Sequence, residues 1–93
     1  LKAIIYLTKA LSKGEDEDYY NRRGEAYMEV KKYELAEKDF KRSLEIDPNN
    51  IDTYLFYAGM LKELGRKKEY CENLHKAVAL GKVVDPKFLE ECK

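Results

Sequence analysis

Tryptophan is absent, histidine occurs once, and cysteine and proline occur twice each in 93 residues. Each scarcity removes a class of function. With His75 as the only imidazole, a thiol nucleophile with an adjacent base has one candidate, Cys71, four positions away on the same helical face. A metal site begun by Cys71, His75 and Cys92 lacks a fourth ligand. Two cysteines are too few for the disulfide framework of a small secreted domain, which points to a reducing compartment, a cytoplasmic location, and Cys71 as a small packing residue. No apolar run is long enough to span a membrane, and LKAIIYLTKAL spaces its lysines too evenly for a secretory signal. The chain opens at Leu1 in mid-pattern without an initiator Met, as a segment of something longer would.

An excess of one charge is also missing: 18 Lys and Arg balance 18 Asp and Glu. Nucleic-acid binding draws most of its non-specific affinity from a basic surplus, so that partner is excluded. The eight tyrosines are not a stacking platform, since Tyr20, Tyr27, Tyr33, Tyr54 and Tyr57 lie on or beside packing stripes. No glycine-rich phosphate loop occurs, and each of the five glycines is assigned to a turn or to close packing. The carboxylates form no isolated pair in an apolar setting, which acid catalysis would need. No catalytic residue, cofactor or metal is expected.

What the chain does contain is a repeat. Tyr20, Gly24, Tyr27, Phe40 and Ser43 recur as Tyr54, Ala58, Leu61, Leu74 and Ala77, each pair 34 positions apart. Helical spacing runs from 18 to about 30, from 33 to 46, from 51 to 64 and from 66 to 80, with Asp47-Pro48-Asn49-Asn50 and Gly65 and Gly81 as stops. Ala3, Leu7 and Ala10 repeat the spacing of Ala36, Phe40 and Ser43 one residue out of step, so residues 1–12 read as the second helix of an earlier unit. Asp85 and Pro86 open a short last helix carrying Phe88, Leu89 and Cys92.

Tyr20, Gly24, Tyr27, Ala36, Phe40, Ser43 and Pro48 make residues 17–50 resemble a complete tetratricopeptide repeat, with Arg23 in place of the consensus Leu. Residues 51–84 resemble a divergent second unit, with Ala58 for Gly, Tyr70 for a small Ala and Lys82 for Pro. The resemblance covers about two and a half repeats: a half unit at 1–12, units at 17–50 and 51–84, and a capping helix at 85–93. It implies one all-α domain of antiparallel helix pairs stacked as a right-handed solenoid, about five helices plus the cap. It also implies a concave groove, lined by the first helix of each pair, that binds a peptide or a partner surface.

Turning about 100° per residue away from the packed stripe places Asp18, Asn21, Arg22, Glu25, Met28 and Glu29 on the groove side of the first unit. The same operation selects Asp52, Leu55, Phe56, Gly59, Lys62 and Glu63 in the second. Leu55 and Phe56 either fill the angle between neighbouring helices or anchor an apolar partner side chain, with Asn21, Arg22 and Lys62 as polar surroundings. The clamp by which some members grip a chaperone's C-terminal carboxylate is not expected, because Glu25 stands where an Asn is wanted. The expected role is a protein-interaction scaffold. A structural spacer or self-association segment is the alternative, with a weak homodimer through the uncapped first helix. Lys31, Lys32, Arg66, Lys67 and Lys68 are expected along one edge.

Overall fold

The computed structural model describes residues 2–93, and all the regular structure in them is helical: α1 Lys2–Leu11, α2 Glu17–Glu29, α3 Tyr33–Ile46, α4 Ile51–Glu63, α5 Lys67–Ala79 and α6 Pro86–Glu90. The helix starts follow from local chemistry. Asp16 accepts from the amides of Asp18 and Tyr19 ahead of α2, Asn50 from Thr53 ahead of α4, and Asp85 from Lys87 ahead of α6, where Pro86 occupies the first turn. α3 and α5 start without a side-chain cap, because Lys32 and Arg66 stand at the cap positions and their side chains carry no hydrogen-bond acceptor.

Those turns share a design. The Lys32 amide donates to the Tyr27 carbonyl at 2.8 Å, and the Arg66 amide to the Leu61 carbonyl at 2.9 Å. Such a closure needs one residue in the left-handed region. Gly65 supplies it at φ 75°, whereas the first unit uses Lys31 at φ 64°. The helices therefore end one residue before 30, 64 and 80, where the hydrophobic spacing alone runs on.

α2 with α3 and α4 with α5 form antiparallel hairpins, α1 lies against α2, and α4 joins the hairpins by touching both α2 and α3. The result is drawn out along the stack, 42 × 24 × 17 Å. Phe40, fully buried, is its pivot: its ring stacks on Tyr57 with centroids 5.7 Å apart, and it faces Gly24. A Cβ on Gly24 would stand 2.8 Å from the Phe40 ring, so the hairpin closes to this distance only around glycine. Ala36, Ala58, Met60, Leu61, Tyr70 and Leu74 complete the core around Phe40 and Tyr57. Burying a side chain of the size of Leu or Phe contributes about 1.5–3 kcal/mol. Buried Ser43 donates to the Glu17 carbonyl at 2.8 Å and lies 3.1 Å from Thr53 Oγ1, so a hydroxyl knot joins three helices.

Two expectations are corrected. Cys71 is not merely a packing residue: it is disulfide-bonded to Cys92, with Cα atoms 5.6 Å apart. Cys92 is brought to it because the segment after Gly81 folds back, with Phe88 and Leu89 of α6 resting on the core cluster. Nor is Gly59 explained by close packing, since a Cβ there would meet nothing within 4 Å.

Candidate partner-binding face

The predicted groove residues lie on two helices that touch, α2 and α4, and their surroundings differ. Asn21 is buried at 5% exposure, and its Oδ1 has no hydrogen-bond partner among the described residues. Arg22 is exposed and pairs with Asp18 at 2.8 Å along α2. Glu25 is half-buried; burial raises its carboxyl above the ordinary 4.5, Glu29 adds to this and Arg22 opposes it. Met28, Leu55 and Phe56 are half-buried and packed on the core, so each offers part of its surface to solvent.

Gly59 and Lys62 continue this face along α4, and both are exposed. The Lys62 ammonium is 3.4 Å from Glu91 and sits 4.8 Å over the Phe88 ring and 5.6 Å over that of Tyr70. α6 thus occupies the far end of the face. At the near end, Tyr6 and Leu7 of α1 with Arg22, Glu25 and Glu29 of α2 line an open cleft of about 320 Å³.

Two polar networks were not anticipated. Arg23 joins Asp39 by two hydrogen bonds and reaches Thr8 of α1 at 3.2 Å, tying three helices together. Its guanidinium lies 5.7 Å from the ring centres of both Tyr20 and Tyr27, and the Asp39 hydrogen bonds raise its pKa despite burial. A charge on a packed stripe requires a buried partner, but no spacing rule singles out Asp39, 16 positions away on another helix. Between the two units, Glu37 of α3 accepts from the Tyr57 hydroxyl at 2.5 Å and from Arg66 at 2.8 Å. Burial pushes Glu37 upward, but the hydrogen bonds from Arg66 and Tyr57 outweigh it and hold its carboxyl below 4.5. Burial and Glu37 together push the Tyr57 hydroxyl well above its ordinary value.

The basic edge is reduced by the second network. Arg66 is neutralised by Glu37 and by Glu69, the latter at 2.5 Å, which leaves Lys31, Lys32, Lys67 and Lys68 exposed. Among the described residues no group of three or more His, Cys, Asp or Glu side chains is placed to hold a metal ion. Cys71 is committed to the disulfide, so it offers no thiolate to His75.

Stacked antiparallel hairpins with a 34-residue recurrence define a helical-repeat protein. Residues 17–50 match the family model described as Tetratricopeptide repeat, and the chain therefore contains a tetratricopeptide repeat. Such repeats generally mediate protein–protein interaction. Sperm-associated antigen 1 of Mus musculus is 29% identical over 77 residues, covering 83% of this chain and 8% of that protein. The Homo sapiens protein of that name is 27% identical over 77 residues, with the same two coverages, 83% and 8%. Translocon at the outer membrane of chloroplasts 64 of Pisum sativum is 35% identical over 80 residues, covering 85% of this chain and 14% of that protein. The chain thus spans 8% to 14% of the length of these relatives. No helix among the described residues is long and apolar enough to cross a membrane.

Proposed function

We propose that the face formed by α2 and α4 binds a peptide or a partner surface, with Leu55 and Phe56 as apolar anchors. Asn21, Arg22, Glu25, Met28 and Lys62 are the surrounding contacts. One observation carries the reading. Gly59 sits inside α4, where glycine costs about 1 kcal/mol relative to alanine, and a Cβ there would meet nothing within 4 Å among the described residues. Gly24 has Phe40 to justify it, whereas Gly59 has only the open space beside Leu55 and Phe56. A partner backbone laid on α4 would supply the missing neighbour.

The test is selection of peptides from a displayed random library on the immobilised chain, followed by measured binding to Gly59→Lys. A lysine there projects into the open face without touching the core, so selected peptides should bind at least tenfold more weakly while the thermal melt is kept. Equal binding by the variant would sink the reading.

Self-association is the second reading, favoured by Ile5 and Tyr6 of α1, which are 57% and 65% exposed. Sedimentation should then show dimers that Tyr6→Glu abolishes; a monomer at millimolar concentration would refute it. We propose a cytoplasmic location on the low cysteine count alone; the Cys71–Cys92 bond would there be open to reduction.

A further inference from the structure

We infer that Cys71 and Cys92 form a thiol–disulfide exchange site that decides whether α6 stays docked over Lys62 and Tyr70. This goes beyond the binding-face reading and does not depend on it. The two cysteines are bonded across 21 positions, and both residues are half-buried and not sealed in the core.

What else holds α6 is slight. The helix has five residues, none of them buried. An isolated helix is marginal in water below about 12–15 residues, so α6 draws its order from what it touches. Val84, Phe88 and Leu89 rest half-buried on the core cluster. The Lys62–Glu91 pair, with side chains 47% and 43% exposed, is of the surface kind that adds little. The Lys62 ammonium over Phe88 adds one more weak contact. The disulfide converts redocking of the segment 80–92 from the search of a free tail into the closing of a tethered loop. For a ring of roughly 20 residues that is on the order of a hundredfold in the docking equilibrium.

The co-reactants are glutathione-class thiols. The thiolate of one attacks a sulfur of the Cys71–Cys92 bond, which breaks; a mixed disulfide forms, and the other cysteine leaves as a thiolate and takes up the proton the attacking thiol released. A second thiol attacks the mixed disulfide, frees the first cysteine and departs as the small-molecule disulfide. Two electrons pass from the two small thiols to the protein, and the reverse sequence, with the small disulfide as oxidant, restores the bond.

Once α6 lifts, Lys62 loses Glu91 and Phe88 together, and the Tyr70 end of the core is uncovered. That end then offers an apolar surface with a free ammonium beside it.

Amide exchange across a series of glutathione redox mixtures tests this, read at Phe88, Glu91 and Cys92, whose amides are hydrogen-bonded in the docked helix. Exchange there should quicken about tenfold or more on reduction, with the same midpoint as alkylation of the two thiols. α2 to α5 should keep their protection, and Cys92→Ser should show the reduced pattern without any reductant. Unchanged exchange in both the reduced chain and Cys92→Ser would overturn the inference, since packing alone would then hold α6. Loss of protection throughout the chain would also overturn it, because the bond would be a staple of the whole fold.

Discussion

Arg23 donates from Nε and Nη2 to the two carboxylate oxygens of Asp39, each at 2.8 Å, with Asp39 6% and Arg23 18% exposed at the side chain. A two-pronged pair at this depth is geometrically specific, and removing one partner leaves the other charge buried alone. Arg23→Leu should therefore destabilise the chain by about 3 kcal/mol or more, although it restores the family consensus. Arg23→Leu with Asp39→Leu should recover most of that loss, because an apolar pair of similar volume replaces a buried ion pair at little net cost. Urea denaturation of the two variants checks both statements.

The helix-interior glycines should respond oppositely to the same change. Gly24→Ala drives a methyl to 2.8 Å from the ring of Phe40, which is fully buried and has no free space to swing into, so about 1–3 kcal/mol should be lost. Gly59→Ala meets nothing and should gain about 0.4–1 kcal/mol. Thermal melts of the two variants separate a packing glycine from one kept for another reason.

The left-handed turn residues make a similar pair. Lys31→Gly should raise stability by about 1 kcal/mol, since a side chain at φ 64° is strained there. Gly65→Lys should lower it by a similar amount at φ 75°. The chain holds both solutions to one turn 34 positions apart, so each variant is controlled by the other unit.

Acid should act through Glu37. Its carboxyl is held below 4.5 in the fold, so the unfolded chain binds the proton more readily than the folded one in that range. The stability this contributes is present in full above about pH 4.5 and is lost as pH falls through the lowered value. Glu37→Gln should flatten the acid limb of the stability curve and leave the Tyr57 hydroxyl with a weaker acceptor. A pH series of denaturant midpoints reads the difference.

Periodicity made α2 to α5 legible because their apolar sites recur at helical spacing between strong stops, and Gly24 marked the close approach of a neighbouring helix, which the structure makes with Phe40 of α3. The Arg23–Asp39 and Glu37–Tyr57–Arg66 networks were not legible, since they join residues 16 to 29 positions apart on different helices. The disulfide escaped for the same reason: Cys92 reaches Cys71 only through the fold-back after Gly81, a direction in space that no spacing rule encodes. On the candidate face, spacing assigns Leu55, Phe56, Gly59 and Lys62 to one side of α4, where Leu55 and Phe56 are half-buried and Gly59 and Lys62 exposed. It could not tell that Asn21 would be buried or that α6 would cover Lys62.

Amide shift mapping of the chain with a library-selected peptide bound tests the interaction face most directly. Shifts should cluster at residues 21–28 of α2 and 55–62 of α4, strongest around Gly59. Shifts confined to the outer faces of α3 and α5, with Leu55, Phe56 and Gly59 unmoved, would contradict it.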